Sequence, residues 1–327
     1  MKKLCFIIPY FGKFNNYYPL FLKTCEWNKD FNWLVFTDDK TEYNYPNNVK
    51  RIEIQFSECQ DLVKSKFNTA VSLVHPYKLC DLKPMYGYIF EEHIKEYQFW
   101  GHCDVDTLMG NLNRWLTDDI LEYYDKLFQL GHMTIYKNTY ENNRLFMHEH
   151  RGHFPYKLVL ANPKNCWFDE EWNNLSNINR IFIDNGKRIL KEDFSLNISL
   201  SYNRFVRGKF VGPENTDMPY GFEIEKPKDA LYIWKNGELY RLYKKNGELV
   251  REDFLYLHLQ KRKMYLHKNV LNSNYFKIVP DEFLPIDYSD IDYTNFDRIK
   301  KIGRCWHKQR MFKERVMRKL KKVFSKI

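Results

Sequence analysis

Two aspartates separated by one residue, Asp104 and Asp106, lie in the stretch WGHCDVDTLMG, directly after an apolar segment. Residues i and i+2 of an extended chain project to the same side, so both carboxylates can face one cation. Carboxylate oxygens suit Mg²⁺ or Mn²⁺. A solvated turn is the alternative, since Asp290 and Asp292 repeat the spacing. The pair nevertheless predicts a metal site, because it lies at the carboxyl end of a predicted central strand, where open α/β sheets bind ligands.

His258 is a second candidate for metal binding. In the stretch FLYLHLQKRK, three leucines alternate with aromatic and polar residues, which places His258 on the less apolar face of a strand. Lys261 and Arg262 follow this strand. The imidazole could complete the metal site, and the two cations could neutralise a diphosphate. A lone histidine is more often a surface or core residue, so this assignment depends on the acidic pair.

The elements that must position these residues follow from the alternation of apolar runs with longer mixed segments. This pattern is typical of βαβ units, and we predict strands at 3–9, 32–37, 49–56, 97–103 and 133–136, with helical material between the first two. A helix is expected to begin near Pro84, with Asp81 or Lys83 just ahead of it. The predicted fold class is therefore α/β, with a mixed central sheet that carries Asp104 at a strand end.

Two Asn-Gly pairs, Asn236-Gly237 and Asn246-Gly247, each lie between alternating aromatic and polar residues. Asn-Gly between such runs is a strong hairpin signal, because both residues tolerate positive φ angles. The two pairs in tandem predict a small β-meander. It leads directly into the strand that contains His258.

The net charge of +10 is concentrated at the C-terminus. Residues 293–327 hold 13 Lys or Arg against two acids, whereas the rest of the chain has 39 bases and 40 acids. The nearly neutral body argues against a nucleic-acid cleft, which needs clustered positive charge. Apolar residues recur at three- and four-residue spacing along the tail, at Phe312, Val316, Leu320, Val323 and Ile327. We therefore divide the chain into a body, 1–292, and a basic amphipathic helix, 293–327.

The tail has more than one interpretation. Dense Lys and Arg opposite an apolar stripe suit a helix that lies on anionic lipid, and Trp306 and Phe324 would add anchorage that phosphate binding does not need. The alternatives are nucleic-acid binding or simple solvation of a packed helix. We favour the membrane surface and expect no nucleic-acid partner.

Location is predicted from what the sequence does and does not contain. The seven cysteines are odd in number and lack CxxC spacing, which favours reduced thiols in the cytosol. No apolar run approaches the roughly 18 residues needed to span a bilayer, and no apolar region of a signal peptide follows the first lysines. The expected location is cytoplasmic, peripherally associated with the inner face of the cell membrane.

Several ordered motifs carry a resemblance to a known family: FIIPYFGKFNNYYPLFLKTCEWN with WLVFTDD, then YKLCDLKPMYGYIF, GHCDVDTLMGNL and LHLQKRKM. Over roughly residues 1–275 the chain resembles bacterial polysaccharide-biosynthesis glycosyltransferases of the A-type, nucleotide-diphosphosugar (GT-A) fold. The resemblance implies one Rossmann-like domain, Mn²⁺ or Mg²⁺, a UDP-sugar donor, and a glycan or lipid-linked oligosaccharide acceptor. The implied product is capsule, exopolysaccharide or lipopolysaccharide.

The resemblance also assigns roles to individual residues. Asp104 and Asp106 become the DxD pair that holds the cation against the donor diphosphate, His258 a further metal ligand, and Lys261 and Arg262 phosphate neighbours. The remaining positions implied to border the nucleotide are Pro9, Tyr10, Phe11, Asp38, Asp39, Lys78, Asp81 and Lys83. Helix capping and surface charge are the alternative explanation for the last three.

Asp169 and Glu170, in CWFDEEWN, are the candidates for the general base that accepts a proton from the acceptor hydroxyl. They follow the fifth predicted strand, where the resemblance implies acceptor-side acids. An acid-rich first turn of a helix is the rival explanation. Two other functions remain open: a sugar-phosphate nucleotidyltransferase, for which the single Gly12 near the N-terminus is a poor glycine-rich loop, and a non-catalytic binding protein with a basic tail.

Overall fold

The computed structural model describes residues 2–171, 176–260, 262–302 and 305–324. The strands are β1 (Lys2–Pro9), β2 (Phe31–Thr37), β3 (Val49–Glu53), β4 (Tyr97–Cys103), β5 (Thr107–Met109), β6 (Lys126–Leu130), β7 (Met133–Lys137), β8 (Ile189–Leu190), β9 (Ser195–Asn197), β10 (Gly208–Phe210), β11 (Phe222–Ile224), β12 (Ala230–Lys235), β13 (Glu238–Lys245), β14 (Glu248–Asp253), β15 (Tyr256–His258), β16 (Tyr265–Leu266), β17 (Tyr275–Val279) and β18 (Glu282–Pro285).

The α-helices are α1 (Tyr18–Glu26), α2 (Phe56–Lys66), α3 (Leu79–Leu82), α4 (Tyr86–Ile89), α5 (Glu91–Ile94), α6 (Asp118–Tyr123), α7 (Pro155–Ala161), α8 (Ile178–Asp184), α9 (Lys268–Leu271), α10 (Phe296–Ile299) and α11 (His307–Phe324). Short 3₁₀ helices lie at Pro76–Lys78, Lys83–Met85, Leu112–Arg114, Asn142–Met147 and Pro219–Gly221. All seven cysteines are free thiols.

The central sheet has seven strands in the order β3-β2-β1-β4-β7-β6-β8. Strands β3, β2, β1 and β4 are parallel, whereas β7 is antiparallel to both β4 and β6. Side chains on the two faces of β1 enter two different apolar clusters, which explains the continuous apolar run in this strand. The predicted α/β class and mixed sheet are confirmed, as are four of the five predicted strands to within about a residue of their ends.

The structure corrects two details of this region. The third strand ends at Glu53, and Phe56 begins α2, because Gln55 and Glu58 form a capping box there. The helix expected to start near Pro84 is instead a run of short helical turns from 76 to 94, so Asp81 and Lys83 lie within this run and not ahead of it. Strand β6 was not among the strands predicted from the sequence.

The two predicted hairpins are present as β12-β13 and β13-β14. The φ angles of Asn236 and Gly237 are 49° and 85°, and those of Asn246 and Gly247 are 51° and 83°, as a two-residue type I′ turn requires. The meander is part of a larger sheet than predicted, with six strands in the order β14-β13-β12-β17-β18-β16.

A small sheet has the strand order β5-β15-β9, and its strand β5 follows the carboxyl end of β4 in the sequence. In its register His258 lies opposite Thr107 on one side and Asn197 on the other. This sheet therefore brings three distant parts of the sequence together immediately after the Asp104–Asp106 turn.

The C-terminal segment forms two helices instead of one continuous helix from 293. Phe296 and Ile299 of α10 are buried against the meander. The start of α11 is tied to the body, since Trp306 N donates to Asp281 Oδ2 at 2.6 Å and the His307 Nε2 is 3.1 Å from Leu200 O. Of the predicted stripe, Phe312 is 70% exposed and Val316 is also exposed; the side chains at 320 and 323 and all of Ile327 lie outside the described residues. No helix in the described part of the chain combines the length and apolarity needed to cross a bilayer.

Candidate metal centre

The turn that carries Asp104 and Asp106 is held between the central sheet and the small sheet. Asp104 N donates to His132 O at 3.0 Å, and Leu259 N donates to Asp106 O at 3.0 Å. The Thr107 hydroxyl donates to Asp104 O at 2.6 Å. These bonds to backbone atoms hold the turn in place without involving its carboxylates.

The two carboxylates and one imidazole converge at this turn. His258 Nε2 lies 3.9 Å from Asp104 Oδ2 and 3.6 Å from Asp106 Oδ1. One ligand atom from each residue lies within 4.8 Å of the others, and no other such cluster occurs among the described residues. Asp106 and His258 are buried, whereas the Asp104 side chain is 34% exposed, which leaves one side of the cluster open. Two oxygens and one imidazole nitrogen fit Mn²⁺ or Mg²⁺, with coordination positions left for a ligand.

Asn197 orients the imidazole. Its Oδ1 accepts a hydrogen bond from His258 Nδ1 at 3.0 Å and another from Gln260 Nε2 at 2.7 Å. With Nδ1 acting as the donor, the lone pair is on Nε2, the nitrogen that faces the two carboxylates. The ring is also stacked on His132, with centroids 4.2 Å apart. Sequence reasoning missed Asn197 and His132, since neither has a motif and both reach the site only through strand pairing and a turn.

Lys83 places a fixed positive charge beside the cluster. Its Nζ lies 2.7 Å from Asp104 Oδ1, 2.8 Å from Gly131 O and 3.7 Å from Asp169 Oδ2. Burial acts to lower the pKa of this ammonium. The negative charges of Asp104 and Asp169 outweigh that effect and raise the pKa well above the usual value. Burial likewise acts to raise the pKa of Asp104, and the charges of Lys83 and His258 outweigh it, so that the pKa is lowered. The pair is therefore ionised in the folded protein.

Asp169 and Glu170 reach the same region through Lys83 and Gly131. A Cβ atom at position 131 would lie 2.2 Å from Asp169 Oδ2 and 2.7 Å from Glu170 Oε1, so the two carboxylates occupy the space left by the glycine. Burial raises the pKa of both carboxyl groups, against the opposing effect of Lys83. A raised carboxyl pKa suits a general base. The rival explanation, a first helical turn, does not apply, because the two acids lie in a turn and α8 begins only at Ile178.

The loop after β1 also borders the site. Asn15 Nδ2 donates to Val105 O at 3.4 Å, which links the loop to the turn between the two metal-ligand candidates. Pro9, Tyr10 and Phe11, the residues predicted to lie near the nucleotide, are half-buried here. The Tyr10 ring stacks on Phe14 at 4.6 Å.

Asp38 and Asp39 shape this loop. Asp38 Oδ1 accepts a hydrogen bond from Gly12 N at 2.7 Å. The buried carboxylate of Asp39 accepts one from Lys13 Nζ at 2.6 Å and one from Phe14 N at 3.2 Å. Burial favours the neutral form of Asp39, but these hydrogen bonds, together with those from Thr41, lower its pKa. Their predicted contact with a nucleotide is compatible with this position and stays a prediction.

Lys78 and Asp81 form a buried ion pair of 2.8 Å. Lys78 Nζ also donates to Lys164 O at 2.7 Å, and the Asp81 carboxylate accepts from Cys166 N at 2.8 Å. The pair thus holds the segment that leads into Asp169, and its hydrogen bonds do not join it to the two metal-site aspartates. A border position at the nucleotide stays a prediction.

Arg262 contributes little to the site in this structure. The guanidinium of Arg262 is buried and donates to Tyr202 O at 3.2 Å and to Asn203 O. Burial lowers its pKa to about 10. These contacts hold a loop, and a role near phosphates stays a prediction that they do not support. Lys261 lies outside the described residues.

Comparisons with known proteins add a family model and distant structural likenesses. A model described as a family of unknown function (DUF6625) matches residues 6–287. No curated protein matches the chain. Galactosyltransferase LgtC in complex with donor and acceptor sugar analogues is 9% identical, with a TM-score of 0.35 over 69% of this chain and 87% of that chain. An active-site mutant of LgtC has the same identity and TM-score over 69% of this chain and 88% of that one. Any assignment of activity must therefore come from the geometry of the site.

Proposed function

We propose that this chain, which belongs to DUF6625, a family of unknown function, is a metal-dependent glycosyltransferase that uses a nucleotide-diphosphosugar donor. The observation that carries the proposal is the convergence of Asp104, Asp106 and His258 within 4.8 Å. They lie at the carboxyl end of a central strand, beside the buried Lys83. This position is where open α/β sheets bind ligands.

The arrangement matches the charge that develops in glycosyl transfer. Cleavage of the anomeric C–O bond leaves negative charge on the diphosphate and gives the sugar oxocarbenium character. Asp104, Asp106 and His258 would hold Mn²⁺ or Mg²⁺, which supplies Lewis-acid stabilisation of the leaving group when bound. Lys83 adds a preorganised positive charge that needs no rearrangement during the reaction.

The acceptor side of the reaction is assigned to Asp169 and Glu170. In a direct displacement, the acceptor hydroxyl attacks the anomeric carbon and loses its proton to a carboxylate. The raised pKa of each group, caused by burial, makes proton acceptance more favourable than for an exposed carboxylate. Asp169 is the better candidate by position, because it lies 3.7 Å from the same Lys83 ammonium that contacts Asp104.

The substrates follow from the resemblance together with the loop geometry. Pro9, Tyr10 and Phe11 in the loop after β1, with Asp38 and Asp39, which hydrogen-bond to that loop, would receive the uracil and ribose of a UDP-sugar. The acceptor would be a glycan or lipid-linked oligosaccharide in capsule, exopolysaccharide or lipopolysaccharide synthesis. The basic C-terminal helix would hold the enzyme at the anionic inner face of the membrane.

Nucleotide release tests the proposal directly. Purified protein is incubated with UDP-, GDP- and CMP-sugars and Mn²⁺, and we expect slow donor hydrolysis that a chelator stops. Asp106→Asn should lower the rate at least a hundredfold. Asp290→Asn is the matched control, since Asp290 belongs to an acidic pair of the same spacing but has an 89% exposed side chain.

The two alternative functions give different results in the same assay. Pyrophosphate-dependent formation or breakdown of a sugar nucleotide would identify a nucleotidyltransferase. Absence of release with every donor would favour a non-catalytic binding protein and contradict the proposal.

A further inference from the structure

An open cavity of about 620 Å³ is lined by residues of β10 and β14, by Phe254 just before β15, and by the segment just before β9. Strand β15 has His258 at its metal end and Tyr256 at the other, and Phe254, two residues earlier in the chain, lines the cavity. Four residues of chain span at most about 14 Å, so this cavity is near the metal centre. Its lining contains none of the three metal-ligand candidates, so it is a separate cavity. Its volume lies within the usual range for ligand sites.

Aromatic side chains form part of the cavity wall. Trp115 and Phe194 are both half-buried, and their ring centroids lie 4.6 Å apart with planes inclined by 34°. Phe254, which is buried, belongs to the same lining. Half-buried rings offer flat apolar surface at low conformational cost, which suits the C–H faces of a pyranose ring.

Arg207 lines the cavity, and not all of its hydrogen-bond donors have a partner among the described residues. Its side chain is only 8% exposed, yet among the described residues its guanidinium makes one hydrogen bond, from Nη2 to Asp193 O at 2.8 Å. Nη1 is 3.8 Å from Glu252, and Nε has no hydrogen-bond partner among the described residues. Buried donors are normally satisfied, so an arginine that lines a cavity in this state indicates a place for a polar ligand.

The remaining charges decide what kind of ligand fits. Asp193 is already used, because it accepts hydrogen bonds from Ser195 N and Phe210 N, and Glu252 is used by ion pairs with arginine. Lys209 and Glu192 line the cavity, are exposed, and make no ion pair within the described part of the chain. The cavity thus offers both donors and acceptors next to aromatic surface, which matches a hydroxyl-rich ligand better than a phosphate or a cation.

We propose that this cavity binds one sugar unit of the glycan acceptor. This unit is distant, along the glycan, from the sugar unit that receives the transferred sugar. That the bound sugar belongs to the acceptor rests on the proposed function. The binding of a sugar in this cavity does not depend on it. A cavity of this kind would select acceptors long enough to occupy both places, because binding at the distant residue places the attacking hydroxyl near the metal centre.

Ligand-observed NMR with the full-length protein tests the inference. The probes are methyl glycosides of glucose, galactose, N-acetylglucosamine and glucuronic acid at millimolar concentration. We expect saturation transfer to at least one glycoside, in the wild type and equally in Asp106→Asn. Trp115→Ala and Lys209→Ala should each raise the apparent Kd of that glycoside about tenfold, and Lys209→Ala should leave the melting temperature unchanged. Lys209 is exposed, so its variant remains informative even if the tryptophan variant is unstable.

The outcomes separate this inference from the proposed function. Absence of saturation transfer with every glycoside, or transfer that both cavity variants retain at full strength, would overturn the cavity proposal. Donor hydrolysis by the cavity variants at the wild-type rate would show that the metal centre is intact in the same proteins. Glycoside binding at the cavity without nucleotide release by the wild type would retain the sugar site and remove glycosyl transfer.

Discussion

At the scale of single residues, the two aspartates of the candidate metal centre have different surroundings although the sequence presents them as a pair. Asp104 lies 2.7 Å from the buried ammonium of Lys83. Asp106 is the closer of the two aspartates to His258, at 3.6 Å. Removing one member of an ion pair leaves the other charge without compensation, which costs far more than the pair contributes. The two positions should therefore separate function from stability.

The first prediction concerns stability without metal. Asp104→Ala should lower the free energy of unfolding by about 2 kcal/mol, because Lys83 then keeps only Gly131 O and the more distant Asp169 as partners. Asp106→Ala should lower it by less than about 1 kcal/mol, a typical effect of one substitution. Urea unfolding in the presence of a chelator measures both. Equal losses for the two variants would contradict the assigned role of Lys83.

A second prediction tests the orientation of the imidazole. Asn197→Leu removes the acceptor of the His258 Nδ1 hydrogen bond and should weaken Mn²⁺ binding about tenfold to a hundredfold, as for other groups that orient metal ligands. Asn197→Asp is the matched variant, because it keeps an oxygen at that position and should retain most of the affinity. Titration calorimetry with Mn²⁺ gives the comparison. Equal affinities of the two variants would remove the orienting role.

At the scale of elements, the site is assembled from strand ends and a turn that meet at one edge of the central sheet. β4 delivers Asp104, the turn between β6 and β7 delivers Gly131 and His132, and β15 delivers His258. The turn has a double role, since Gly131 O accepts from Lys83 and the missing side chain of Gly131 leaves room for two carboxylates. A hairpin separate from the two aspartates thus sets the position of Asp169 and Glu170.

The third prediction follows from this turn. Gly131→Ala should force the carboxylates of Asp169 and Glu170 away from the added Cβ, since the closest contact would be 2.2 Å. Displacement of a reacting group by about 1 Å can cost a hundredfold in rate. We expect acceptor-dependent transfer to fall at least tenfold and donor hydrolysis to change less. The carboxylates end flexible side chains, so the loss of stability should stay near the lower end of about 1–3 kcal/mol.

Gly208→Ala is the control for this substitution. A Cβ at position 208 would meet its nearest neighbour at 3.7 Å, an ordinary contact, and the position has no positive φ angle. Both activities should remain at the wild-type level in this variant. A parallel decrease of transfer and hydrolysis in Gly131→Ala would instead point to general distortion of the metal centre.

At the scale of the whole molecule, a nearly neutral body carries a strongly basic C-terminal helix. The first turn of α11 is fastened to the body by Lys308 N, which donates to Asn203 Oδ1 at 2.7 Å, and by an ion pair between Arg310 and Asp281. Beyond it, Phe312, Val316 and Met317 are exposed. The docked first turn and the exposed remainder can therefore be tested separately.

The fourth prediction uses this division. Removal of residues 312–327 takes away seven Lys and Arg and the exposed apolar side chains, but leaves the docked first turn. Since each basic residue near an anionic surface contributes up to about 1 kcal/mol, binding to phosphatidylglycerol vesicles should fall at least tenfold. Nucleotide release and melting temperature should not change. Sedimentation with vesicles measures the loss, phosphatidylcholine vesicles are the control, and unchanged binding would contradict the membrane assignment of the tail.

The sequence was sufficient for features that depend on local physics. Period-two and continuous apolar patterns located β1, β2, β4 and β7, and Asn-Gly chemistry located both hairpins, because each signal is contained within about ten residues. The acidic pair and His258 were recognised by residue type and position along strands. That these three side chains lie within 4.8 Å of one another was a prediction, and it agrees with the structure.

Only the tertiary structure decided which polar residues serve the site and which serve the fold. β6 escaped prediction because it carries Lys126 and Gln129, whose burial depends on a partner such as Asn179, 53 residues away from the lysine. Asn197, His132 and Gly131 carry no signal in the sequence, since their function lies in distances to groups far along the chain. Long-range packing sets these distances, and no pattern confined to neighbouring residues encodes them.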